Sequence, residues 1–281
     1  MKRYPYFRAV WIACTILILT SLILMLIGIA WEHSTERYLK GFAEAIVPLS
    51  APPAEKAEAI LSWMRNGPAR KVAADTESFA HRDPENTLEY KQLLQVCGTA
   101  TNAFINLAAS SGLPARRLLL LDEKGQAKHV VAEIRMDGQW VVADPTFRVL
   151  FRNAQGQYLT RQQLQDPATL REATAGLTAY SSHYTYERVA HVRLTRIPLL
   201  GGVLGKVLNT AVPGWDEAMN WTLVLERESM ALALGTGFML AFFVGLRFYL
   251  SRYARRKLGI DRVRLREHLS RARQVLFSNP R

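Results

Sequence analysis

Two long apolar runs bracket a stretch of alternating and helical hydrophobic spacing. The first, Ala9 to Trp31, is 23 residues without a charge, enough for a helix across a hydrocarbon core of about 30 Å. The second, Ser229 to Leu246, is 18 uncharged residues and reaches Leu250 if Arg247 snorkels to the interface. Between them, Ala57, Ile60, Leu61 and Met64 make one apolar face of a helix that follows Pro52-Pro53. Ala100, Phe104, Leu107 and Ala108 recur at helical spacing behind Cys97, with Gly112 as a stop and Pro114 forbidding continuation. Ala115 to Asp122 reads as a buried strand. The run "KHVVAEIRMDGQWVVADPTF" alternates around Asp137-Gly138, a strong signal for a two-residue hairpin turn. That turn pairs Met136 with Gln139, Arg135 with Trp140, Glu133 with Val142 and Val131 with Asp144. His129 and Asp144 then share a face at a diagonal cross-strand position.

Charge changes the picture of the apolar runs. The net charge of +12 suggests a nucleic-acid binder until its distribution is read. Residues 1–9 carry +3 and residues 247–281 carry +9, while residues 10–246 hold 22 basic and 22 acidic side chains. All the excess flanks the apolar runs, so no nucleic-acid partner is expected. A buried core helix would also be apolar, but five bases from Arg247 to Lys257 border the second run. A cleaved signal peptide ending at "GIA" would have a shorter hydrophobic region, of about 7–15 residues. The expected organisation is a cytoplasmic N-terminus over 1–8, a transmembrane helix over 9–31, and an outer domain over 32–228. A second transmembrane helix (229–250) and a basic cytoplasmic tail (251–281) follow. Basic flanks stay inside, so both termini are cytoplasmic and the domain lies outside. In the tail, Leu258, Leu265, Leu269 and Leu276 share a helical face, which suits anionic headgroups; a partly disordered tail fits the same residues.

The chemistry turns on two cysteines. Cys14 lies inside the first apolar run and Cys97 in the outer domain, so Cys97 has no intramolecular disulfide partner. Neither a CxxC pair nor a Cys/His cluster with metal-ligand spacing occurs, and no metal or other cofactor is expected. A free cysteine is at home as a small buried hydrophobe. The alternative is a nucleophile, since a helix N-terminus favours the thiolate and offers N–H groups to an oxyanion. His129 and Asp144 have dull readings too, as a satisfied strand histidine and a turn-starting Asp-Pro. Together, Cys97, His129 and Asp144 match a thiolate–imidazole–carboxylate device.

These stretches, "QVCGTATNAFINLAASSGLPAR", "HVVAEI" and "DGQWVVADPTF", resemble the transglutaminase-like superfamily of papain-type fold, as a membrane-anchored bacterial-type member. Cys97, Gly112 to Arg116, His129, Trp140, Asp144 and Pro145 fit its pattern. The resemblance covers about residues 50–150 and leaves 151–228 unassigned. It implies an α+β domain, with helices from about 54 to 111 packed on an antiparallel sheet of 115–122, 128–136 and 139–145, set between the two transmembrane helices. It also implies acyl transfer through a thioester on a peptide, amide or amine substrate, with Cys97, His129 and Asp144 catalytic. The alternative is a non-catalytic partner in an envelope assembly, such as one that makes or exports polysaccharide. Either reading places the protein in a bacterial inner membrane with its domain periplasmic or extracellular. Gln92 and Gln95 are oxyanion-hole candidates by chemistry alone. Tyr180, Tyr184 and Tyr186 could line a substrate cleft, but alternating tyrosines in a strand are more often core or cross-strand packing, so they are left outside the site, with His183 and His191 unassigned.

Overall fold

The computed structural model describes residues 5–48, 50–67, 84–89, 93–192, 201–218 and 221–259. The chain divides into two compact units, Met1–Gly28 with Leu232–Arg281, and Ile29–Ala231.

Two long helices pass through both units: α1, Pro5–Ile46, and a last helix, Glu228–Lys257. Both are long and apolar enough to cross a membrane, and their most apolar windows are only 17% and 11% buried, unlike a core helix of a soluble protein. Within the first unit they pack closely, since a Cβ on Gly28 would lie 2.8 Å from the backbone nitrogen of Ala233. Arg247 donates to Thr15 Oγ1 at 2.6 Å, and its guanidinium lies 4.7 Å from the centre of the Trp11 ring. The basic tail's apolar face, apart from Leu258, lies outside the described residues.

In the second unit, α1 runs on for 15 residues past Trp31 before it ends at Ile46. Leu39, Ala43 and Val47 are buried in the domain core, with Phe42 and Ile46 packed against it. Leu39, Phe42, Ala43 and Ile46 stand at helical spacing, a signal carried by the sequence beyond its polar residues 32–37. Then come α2 (Pro53–Asn66), α3 (Pro84–Glu89) and α4 (Cys97–Ser110). The buried face of α2 is Ala57, Ile60, Leu61 and Met64, as its spacing predicts. Gly112 has φ +75° just past α4, where a side chain would be strained.

Strands β1 (Ala115–Leu121), β2 (Ala127–Met136), β3 (Gln139–Asp144), β4 (Val149–Leu150) and β5 (Val189–Ala190) form an antiparallel sheet in the order β4-β3-β2-β1-β5. Asp137 (φ 48°) and Gly138 (φ 82°) turn the β2–β3 hairpin, with Met136 opposite Gln139, Arg135 opposite Trp140 and Glu133 opposite Val142. Such left-handed pairs suit the twist of a tight hairpin. The mixed α+β architecture is the one expected.

The sheet has two different faces. Ala115, Ala132, Ile134, Val141 and Ala143 pack under α2, α4 and the end of α1. The opposite face, with Leu118, Leu120, Val131 and Val142, is covered by Phe151, Leu159, Leu164 and Tyr186. The segment without a template in sequence, from 151 to about 190, is thus the second cover of the sheet. It is mostly irregular and contains α5 (Pro167–Thr174), capped by Asp166, which accepts from the Thr169 N–H at 2.9 Å. After it come α6 (Gly201–Ala211), α7 (Trp215–Ala218), α8 (Trp221–Glu226) and the long last helix, α9.

Candidate active site

Cys97 is the first residue of α4, and no side chain caps that helix start. The first-turn N–H groups therefore remain directed at whatever lies before the helix. One turn on, Thr101 donates its hydroxyl to the Val130 carbonyl at 2.9 Å and so fixes this end of α4 against β2 beside His129. His129 is 2% exposed and Asp144 is fully buried. His129 Nε2 lies 2.7 Å from Asp144 Oδ2. A carboxylate only accepts, so Nε2 donates and Nδ1 is left for the thiol. The other carboxylate oxygen, Oδ1, accepts from the Thr146 and Phe147 N–H groups at 3.0 and 3.2 Å. The turn before Pro145 thus orients the carboxylate that orients the ring.

The electrostatics couple thiol and ring. The Cys97 thiol is held below its ordinary value by its hydrogen bond with His129, which outweighs burial; the Val130 and Gly98 backbone groups add to the effect. Burial alone would lower the His129 imidazole, but the hydrogen bonds with Asp144 and Cys97 raise it to about 9. Opposite shifts on adjacent groups favour the charged form of each, in the direction of a thiolate–imidazolium pair. Such a pair has the nucleophile ionised and a proton ready for a leaving group.

Arg148 ties this arrangement to the helices. It adopts φ 60°, unusual for a side-chain-bearing residue. Its guanidinium donates to the carbonyls of Thr146 (2.7 Å), Met64 (3.3 Å) and Leu94 (3.4 Å), joining the turn after Asp144, the end of α2 and the turn leading into Cys97.

Sequence reasoning misplaced two tyrosines. Tyr180 and Tyr184 are not strand residues: they lie in irregular chain and press on the imidazole. The Tyr184 ring stacks on His129 with centroids 4.2 Å apart and an interplanar angle of 9°. Tyr180 and Phe147 meet the ring edge-on at 6.2 and 6.0 Å. Their even spacing mimicked a strand, and nothing local announced the contact. Tyr186 does belong to the core. His183 is exposed, whereas His191 is buried and its Nε2 lies 3.0 Å from Glu133 Oε2. Gln95 is exposed and Gln92 lies outside the described residues.

A buried ionic cluster sits two residues along the face from Val131. Glu133, fully buried, accepts from Arg116 Nε at 2.8 Å and faces His191, while Arg161 binds Glu217 at 2.8 Å. Among the described residues, no three His, Cys, Asp or Glu side chains converge as a metal site.

The sequence model of the transglutaminase-like superfamily matches residues 40–145, a span that starts within α1 and ends one residue after Asp144. No curated protein and no solved structure shows significant similarity to the chain. Tyr180 and Tyr184 fall beyond the matched span. With α2 and α4 on one face of an antiparallel sheet and a cysteine opening α4, the chain carries a domain of the transglutaminase-like superfamily over residues 40–145.

Proposed function

We propose that this protein is a membrane-anchored, thiol-dependent acyltransferase or amide hydrolase acting outside the cytoplasm. The observation that carries the reading is the hydrogen-bonded series Cys97–His129–Asp144, with the thiol lowered and the imidazole raised to about 9. The Cys97 thiolate attacks the carbonyl carbon of an amide. N–H groups at the start of α4 stabilise the tetrahedral oxyanion. His129 then gives its proton to the departing amine as the C–N bond breaks, leaving a thioester on Cys97. Water or an amine next loses a proton to His129, attacks the thioester carbonyl and expels the thiolate. Asp144 keeps the ring in the required tautomer and stabilises its cation. Two apolar helices with +3 and +9 on their outer flanks support an anchor with both termini cytoplasmic.

The test is alkylation of Cys97 by iodoacetamide across pH in the detergent-solubilised chain, followed on the Cys97 peptide by mass. A thiolate active well below pH 8, and lost in His129→Ala, supports the mechanism. An ordinary thiol, unaffected by His129→Ala, refutes it and leaves a non-catalytic envelope partner. Cys97→Ser is expected to fold and to lose turnover. Tags on both termini should be protected in spheroplasts while residues 32–228 are cut by external protease; a spared domain would reverse the topology.

A further inference from the structure

Resting on that reading of the site, we propose that Tyr184 is a positioning residue for His129, lying flat on its imidazole to hold the ring between Cys97 and Asp144 and to favour its cationic form. Parallel contact at 4.2 Å puts the ring's negative π face directly against the imidazole. A ring that only filled space would be free to meet His129 edge-on, as Phe147 and Tyr180 do.

The tyrosine is itself held. Tyr180 meets Tyr184 at right angles with centroids 5.4 Å apart and leans on Phe147 at 4.9 Å. Phe147 is one of the two residues whose N–H groups donate to Asp144. The Tyr184 N–H donates to the Ser181 carbonyl at 3.0 Å, which closes a turn. Two residues on, fully buried Tyr186 anchors the segment under the sheet. The imidazole is therefore boxed by one ring face and two ring edges, which exclude water from the bond to Asp144 and raise the effect of each nearby charge.

The titratable groups facing His129 are Cys97 from α4, Asp144 from β3, and Tyr180 and Tyr184 from the cover segment. Its cross-strand neighbour on β1, Leu120, is apolar. The contact between Tyr184 and the imidazole is through the tyrosine's π face. Tyr184 also lies beyond the span matched by the family, residues 40–145.

The experiment is the pH profile of Cys97 alkylation in the full chain in detergent, with thermal melts alongside. Tyr184→Phe keeps the ring face and is expected to keep the profile. Tyr184→Leu removes it and is expected to move the thiol profile up by about half to one pH unit, slowing alkylation near pH 6 by about 3–10-fold. Replacement of Tyr184 by pentafluorophenylalanine keeps the shape, reverses the ring's charge distribution and is expected to shift the profile as Leu does. That variant decides the matter if Tyr184→Leu does not fold. An unchanged profile with the fluorinated ring, or a shift in Tyr184→Phe as large as in Tyr184→Leu, overturns the proposal. A wild-type thiol that is ordinary and indifferent to His129→Ala would instead sink the catalytic reading itself.

Discussion

Glu133 offers the sharpest test of how the sheet's second face is held. Its carboxylate is fully buried, with Arg116 Nε at 2.8 Å and His191 Nε2 at 3.0 Å on the same oxygen. The other oxygen has no hydrogen bond, and Arg161 Nε lies 3.9 Å from it. Replacing Glu133 by Leu leaves the Arg116 guanidinium buried without its counter-charge. Losing one partner of such a pair costs about 3–5 kcal/mol. Two charge-assisted hydrogen bonds at about 1.5–3 kcal/mol each give an overlapping range of about 3–6 kcal/mol. For a domain of about 200 residues, roughly 2–4 °C per kcal/mol converts this to a fall of about 6–20 °C in melting temperature. The double variant Glu133→Leu with Arg116→Met removes both charges and should recover much of the loss. Burial pushes the Glu133 carboxyl up, but the His191 hydrogen bond and Arg116 outweigh it and hold the carboxyl below its usual value of 4.5. A depressed carboxylate contributes stability above its unfolded value and loses it as pH falls through the folded one. The wild type should therefore lose stability below pH 4.5 faster than Glu133→Gln does. The assay is thermal unfolding of the full chain in detergent, followed by near-ultraviolet circular dichroism from pH 3 to 8. A fall under about 1 kcal/mol in Glu133→Leu, or no rescue in the double variant, would refute the reasoning.

Asp144→Asn removes the charge from a fully buried 2.7 Å hydrogen bond and should cut turnover about 10²–10⁴-fold, with the Cys97 alkylation profile moved up in pH; an unchanged profile would remove Asp144 from the mechanism. Gly138→Val forces a β-branched residue to φ 82° and should cost about 1–2 kcal/mol in thermal unfolding, while the ladder from Ala132–Ala143 to Met136–Gln139 keeps the thiol profile unchanged. Leu39→Ala, at a fully buried position of α1, should cost about 2–5 kcal/mol; a neutral result would detach the end of α1 from the domain core.

Much of the site is legible in the amino-acid sequence, and the reasons are local. A left-handed Asp-Gly pair admits few hairpins, so Asp137-Gly138 determined the β2–β3 register and with it the shared face of His129 and Asp144. A glycine stop and a proline located the end of α4, and helical spacing located its start at Cys97. Charge placement singled out the two apolar helices. The resemblance then joined three residues that spacing alone left separable. Tertiary structure decided the rest. Tyr184 reaches His129 from an irregular segment, where no period of 2 or 3.6 marks which side chain faces inward. Glu133 meets His191 58 positions away, and Arg227 donates to Asn106 across 121. Such pairs have no spacing rule, because their register is set by how one folded layer lands on another. Glu133 on an alternating strand looked like any inward position, and only the folded structure set Arg116 and His191 against its buried carboxylate. The sequence by itself thus determined α2, α4, the three long strands, the hairpin register and the order of the candidate triad. Only the packing of residues 151–190 on the sheet decided what surrounds the imidazole, because that packing depends on long-range burial that local pattern does not encode.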